Sequence, residues 1–140
     1  MRYISSSLRQ LVIERAGNRC EYCGLSQAGQ AAAFHVDHVI PLAKGGQTAE
    51  HNLALACVSC SLRKAARLNA TDPDTDREVP LYNPRVQTWS EHFHWEGVRL
   101  IGMTPTGRAT VAAMKMNRPI MLAIRVEEAL LNRHPPPSGN

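Results

Sequence analysis

Apolar positions recur at helical spacing near the start of the chain, give way to short strand-like runs, and return to helical spacing towards its end. Leu8, Leu11, Val12 and Ala16 share one helical face, and Ser5, Ser6 and Ser7 before them offer N-caps. Gly17-Asn18 stops that helix. Gln27 to Ala33 is small, polar and unpatterned, which predicts a loop. Phe34 to Ile40 reads as a strand ended by Pro41, and Leu53 to Ala56 as a shorter strand running into Cys57. Between them Lys44-Gly45-Gly46-Gln47 is a turn inside a longer loop that reaches Asn52. Ser61 to Leu68 predicts a helix with a basic face of Arg63, Lys64 and Arg67.

The pattern then breaks at Asp72-Pro73-Asp74-Thr75-Asp76, a polar acidic run that marks the best boundary between residues 1–71 and 72–140. Its alternating aspartates open like a calcium loop, but Arg77 stands where that loop needs glycine and Asn83 where it needs glutamate. Calcium is therefore excluded there. Trp89 to Trp95 and Val98 to Met103 predict a hairpin around Glu96-Gly97. Thr104-Pro105 starts a helix, with threonine at the N-cap and proline at N1, that reaches about Asn117. A second helix runs from about Pro119 to Asn132, and Pro135 to Asn140 reads as a disordered tail.

Composition narrows the class. At 140 residues with 44% apolar residues but only 5% aromatic ones, the chain suits one small domain with an extension, stapled by something besides its core. No run of about 18 apolar residues is present to span a membrane. Met1 to Gln10 lacks the apolar segment of a secretory signal, so a cytosolic location with reduced cysteines is expected. The net charge of +4 lies in residues 1–71, where eight Lys/Arg outnumber four Asp/Glu; residues 72–140 hold eight of each. That placement suits a polyanionic partner, although a zinc ion held by four thiolates would carry a formal charge of about −2 and temper it.

Cys20/Cys23 and Cys57/Cys60 form two Cys-x-x-Cys pairs. Each pair offers two convergent thiolates, and together they fill a tetrahedral Zn²⁺ shell with no open position, so the ion would be structural. Four free buried cysteines, or a redox pair, is the weaker alternative.

Asp37-His38 lies between the pairs. A neutral histidine can deprotonate water near pH 7, and a neighbouring carboxylate can hold Mg²⁺ against a phosphate. Consecutive strand residues face opposite ways, so the two share a site only where the strand ends or twists. The segment Phe34-His-Val-Asp-His-Val-Ile-Pro-Leu-Ala-Lys-Gly-Gly, with Asn52-Leu and Cys57-Val-Ser-Cys60-Ser-Leu-Arg-Lys64, closely resembles the HNH endonuclease family over about residues 18–68. The resemblance implies an α+β fold: a zinc-stapled ββα-metal core with an N-terminal helix, here followed by a C-terminal α+β extension. It implies metal-dependent hydrolysis of DNA, duplex DNA as partner, Mg²⁺ or Mn²⁺ as catalytic ion, and 5′-phosphate and 3′-hydroxyl products.

By position, Asp37 resembles the family's first metal ligand, His38 its general base, and Asn52 the asparagine that holds the loop and orients the histidine. The second metal-ligand position, usually His or Asn at the helix start, is Ser61. Three alternatives follow. Ser61 ligates the ion, His35 on the strand face of Asp37 substitutes for it, or the site is weakened. Arg63, Lys64 and Arg67 are the candidate phosphate contacts, with a solvated helix face as the bland alternative. His51 reads as a solvated loop residue; His92 and His94 would share one strand side, packed beside the tryptophans rather than holding a second metal. The rival function is a non-catalytic zinc-dependent nucleic-acid-binding module, and a weaker one is an adaptor using the C-terminal helices.

Overall fold

The computed structural model describes residues 3–138. Helix α1 spans Ser6–Arg15, capped by Ser5, whose hydroxyl accepts from the Leu8 amide at 3.2 Å. Gly17 and Asn18 follow it in the left-handed region, ending it where the sequence places the stop. Strands β1 (His35–His38) and β2 (Leu53–Ala56) then pair antiparallel, with His35 opposite Ala56 and His38 opposite Leu53. All four β2 residues are buried, so this short strand is the centre of the molecule. Helix α2 (Val58–Lys64) follows at once and completes a ββα unit.

Two expectations shift here. The first strand is shorter than Phe34 to Ile40, because the Asn52 side chain captures both the N–H and the C=O of Ile40 and diverts the chain into the loop. The helix begins three residues before Ser61 and stops at Lys64. Its N-cap is the Cys57 sulfur, which accepts from the Cys60 amide at 3.4 Å, and Ala65 breaks it at a φ of 51°. Ser61 therefore sits in the second turn, not at the helix start, and Arg67 lies beyond the helix.

The acidic run expected as a linker is the turn of a hairpin between β3 (Asn69–Thr71) and β4 (Glu78–Pro80). Asp72 is buried at its base; its carboxylate accepts from Arg108 Nε and Nη2 at 3.0 and 2.9 Å and from the Asp74 amide at 3.0 Å. The next expected hairpin is present but trimmed. Trp89–His92 is a helical turn, α3, and the paired strands are β5 (Phe93–Glu96) and β6 (Arg99–Gly102). Helix α4 (Pro105–Ala113) starts as expected, with the Thr104 hydroxyl accepting from the Gly107 amide at 3.0 Å, but ends four residues before Asn117. Lys115 turns the chain there at a φ of 49°. Helix α5 spans Pro119–Leu130.

One apolar cluster draws on both parts of the chain: Val12, Tyr22, Phe34, Leu53 and Leu55 pack with Tyr82, Phe93, Leu100, Met114 and Met121. Arg15 and Arg85 both donate to the Leu53 carbonyl, at 2.6 and 3.1 Å, and fasten α1 and the segment before α3 to β2. The prolines expected in a disordered tail are ordered against the body. His134 Nε2 lies 2.9 Å from the Gly97 carbonyl, and its ring meets Trp95 edge-on at 4.6 Å. Pro136 sits over Gly24, where a Cβ would approach its Cγ to 2.7 Å. Gly139 and Asn140 lie outside the described residues. Among the described residues no helix is long and apolar enough to cross a membrane.

Candidate active site and metal centre

Both Cys-x-x-Cys pairs are turns in which the amide of the second cysteine donates to the sulfur of the first, at 3.4 Å in each case. The first turn closes through Gly24, whose φ of +80° favours glycine. The four buried sulfurs come within 4.8 Å of one another, and Cys23 and Cys57 Sγ stand 3.7 Å apart. A disulfide needs about 2.05 Å. Tetrahedral zinc with sulfur at about 2.3 Å has ligand–ligand edges of about 3.8 Å, so this cluster could hold a zinc ion. The four thiols share hydrogen bonds, which push Cys57 far below its ordinary range and Cys23 and Cys60 well above theirs, so without a cation the cluster holds one thiolate among protonated neighbours.

A cation from the far end of the chain faces this cluster. Arg125 on α5 is 3% exposed, donates to the Met116 and Val98 carbonyls at 2.7 and 2.9 Å, and lies over the Trp95 ring at 5.1 Å. Burial lowers its pKa, and the charges of all four cysteines oppose that lowering. Arg125 carries little mark in the sequence, only that of an arginine on the apolar face of an amphipathic helix.

Asp37 and His38 end β1, where the pleat turns them to different sides. On the Asp37 side, two contacts join the strand to α2. Lys64 Nζ lies 3.0 Å from Asp37 Oδ2, and His35 Nδ1 lies 2.8 Å from Ser61 Oγ. Lys64, grouped with Arg63 and Arg67 as a phosphate contact, is instead 2% exposed and also donates to the His38 carbonyl at 3.0 Å. Ser61 and Lys64 are one helical turn apart, so both face β1 while Arg67 stays exposed. Arg67 donates to the Arg63 and Ala113 carbonyls at 2.7 and 3.2 Å. Arg63 is half-buried, and its Nε makes no hydrogen bond. Burial raises the Asp37 pKa; Lys64 opposes that rise most, followed by His38 and His35.

On the other side, His38 Nε2 lies 2.9 Å from Thr48 Oγ1. Thr48 belongs to the loop that Asn52 clips: the buried amide accepts from Ile40 N at 2.9 Å and donates to the Ile40 and Gln47 carbonyls at 3.0 and 2.9 Å. Gly46 passes so close that a Cβ would sit 1.7 Å from the Ile40 oxygen, which admits no other residue without moving the loop. Asn52 thus fixes Gln47, the residue before Thr48, and does not itself meet the His38 ring; Thr48 has no distinguishing mark in the sequence.

His51 is exposed on this loop. His92 ends α3 and its Nδ1 lies 2.6 Å from Thr104 Oγ1, while His94 on β5 contacts Glu96 at 3.2 Å; the two do not share a strand face. Among the described residues the four cysteines are the one cluster of metal-ligating His, Cys, Asp and Glu groups. A divalent cation also finds suitable donors beside Asp37. Its Oδ2 is buried and ion-paired with Lys64 Nζ at 3.0 Å, and His35 and Ser61 stand on the same face of the strand–helix contact.

Two strands, a loop clipped by asparagine and a helix, bracketed by cysteine knuckles, form a small ββα unit whose cysteines could hold a zinc ion. Residues 20–67 match the family model of the HNH endonuclease, which points to a nuclease or nucleic-acid-related role for this segment. No curated protein and no solved structure matched the chain.

Proposed function

We propose that this chain hydrolyses DNA phosphodiester bonds with a divalent cation and that His38 is the general base. The observation that carries this reading is the junction of Asp37 and His38 at the end of β1. His38 is clasped by Thr48, and Asp37 lies beside Lys64 and the His35–Ser61 pair, all within the segment matching the HNH endonuclease. Asp37 and one group of the His35–Ser61 pair would hold Mg²⁺ or Mn²⁺, which would supply charge stabilisation for the phosphate and the departing 3′ oxygen. His38 takes the proton of the attacking water, with its ring fixed through Nε2 by the Thr48 hydroxyl. Asn52 keeps that hydroxyl in place and touches no substrate. Zinc on the four cysteines holds the strand pair against α2, and Arg125 neutralises part of its thiolate charge.

Arg63 and Arg67 remain as contacts for the backbone of duplex DNA, whereas Lys64 serves Asp37. Residues 1–71 carry the chemistry, and residues 72–140 buttress it from a cytosolic protein's shared core. A plasmid-nicking assay with Mg²⁺ or Mn²⁺ tests the proposal: wild type cuts, and His38→Ala or added EDTA abolishes cutting. Equal cleavage by wild type and His38→Ala sinks the mechanism. The rival, a zinc-dependent nucleic-acid-binding module without catalysis, draws support from the Lys64 ammonium that already meets the Asp37 charge. DNA binding without metal-dependent cutting would favour it.

A further inference from the structure

The nuclease reading leaves open which group completes the catalytic metal site, and the contact between β1 and α2 answers it. Resting on that reading, we propose that His35 is the second protein ligand of the catalytic cation and that Ser61 is its positioning residue, not a ligand. His35 and Asp37 are two apart on β1, so their side chains leave the same face of the strand. Their Cα atoms are separated by about 7 Å, close enough for a carboxylate and an imidazole to converge on one ion. His35 is exposed, so a hydrated ion reaches it from solvent.

Ser61 is differently placed. Because α2 starts at Val58, its short side chain projects from the second turn and meets His35 Nδ1 at 2.8 Å. Assigning the proton to Nδ1, as donor to Ser61 Oγ, leaves the lone pair on Nε2. A ligating histidine commonly has its other ring nitrogen held in this way. The same strand-to-helix spacing that pairs Asp37 with Lys64 therefore pairs His35 with Ser61, giving one carboxylate steadied by an ammonium and one imidazole steadied by a hydroxyl. An imidazole also changes the ion preferred: nitrogen ligation suits Mn²⁺ better than Mg²⁺, which favours oxygen and water.

The test uses the full, zinc-loaded chain with Mn²⁺ as the probe. Binding is followed by loss of the free-Mn²⁺ EPR signal, and the ligand nitrogen by pulsed EPR. Wild type should show ¹⁴N modulation that persists in His38→Ala and disappears in His35→Ala, with zinc content and circular dichroism unchanged. His35→Ala should weaken Mn²⁺ binding at least tenfold. Ser61→Ala should weaken it about tenfold while keeping the modulation, as loss of an orienting partner does. Modulation that survives in His35→Ala, or that is absent from wild type, overturns the assignment. Plasmid nicking in the same preparations separates the two ideas. His38-dependent cutting with Mn²⁺ binding unaffected by His35→Ala sinks the ligand and spares the nuclease. Mn²⁺ bound through His35 without cutting sinks the nuclease and spares the ligand.

Discussion

The pairing of Asp37 with Lys64 makes a quantitative prediction about stability that any mutational study of this site must meet. Lys64 is 2% exposed and Asp37 13% exposed, with Nζ to Oδ2 at 3.0 Å. Replacing Asp37 by Asn keeps the shape but leaves an ammonium sealed in the interior with only neutral oxygens around it. Removing one partner of a buried pair costs about 3–5 kcal/mol; the partial exposure of Asp37 puts Asp37→Asn near the lower end, at about 3 kcal/mol. Lys64→Met should cost less, about 2 kcal/mol, because Asp37 can take up a proton and burial already raises its pKa. The double variant removes both charges and should cost far less than the sum, giving a coupling of about 2 kcal/mol or more. Urea unfolding of zinc-saturated protein, followed by circular dichroism, measures each corner of the cycle. For a chain of this length about 3 kcal/mol corresponds to roughly 10 °C in Tm. Additivity within about 0.5 kcal/mol would show that the pair is not coupled and would refute the argument. If the prediction holds, loss of cleavage in Asp37→Asn cannot be assigned to metal ligation until its folded fraction is known.

Other expectations follow from the same physics. Stripping zinc with a strong chelator, or Cys57→Ser, should unfold the ββα unit, since structural zinc contributes on the order of 10 kcal/mol; metal analysis and circular dichroism check this, and a chelated chain that keeps its Tm would contradict it. Asn52→Ala removes three side-chain hydrogen bonds and strands Ile40 N–H and two carbonyls, costing about 2–4 kcal/mol and lowering cleavage with zinc content unchanged. Arg108 holds the Asp72 carboxyl well below the usual carboxylate range. A depressed folded pKa means that its stabilisation is present above about pH 4, the unfolded value, and is lost as pH falls through the folded value. Asp72→Asn should therefore flatten the acid limb of the stability curve, and an unchanged limb in acid titration would count against the Arg108 pairing.

Much of the centre was legible because chemistry and spacing coincide there. Two cysteine pairs, Asp37-His38 before Pro41, and Asn52 before an apolar strand each mark a turn in the ββα path. The rest was hidden for identifiable reasons. Cysteine is not among the usual N-caps, so nothing local announced that Cys57 starts α2, and the face on which Lys64 falls depends on that start. Asn69-Ala70-Thr71 is too short to register as a strand, and its partner lies beyond a run that reads as linker. Pro135 to Pro137 has the composition of a loose end, and it is the Trp95 ring and the bare Gly24 backbone that give it somewhere to rest. The Thr48 contact arises only once the loop closes, and a threonine there resembles any other.

Arg125 carries a consequence for how the protein comes into being. The ribosome releases the knuckles, both strands and α2 before α5 exists, so metal would first meet four thiolates without the buried Arg125 guanidinium that their charge acts on in the finished chain. The nascent segment would hold an over-charged, poorly covered metal knot, open to exchange with other thiols. It matures when Arg125 docks and Trp95 closes over the guanidinium. A fragment ending near residue 71 should accordingly lose zinc faster than the full chain.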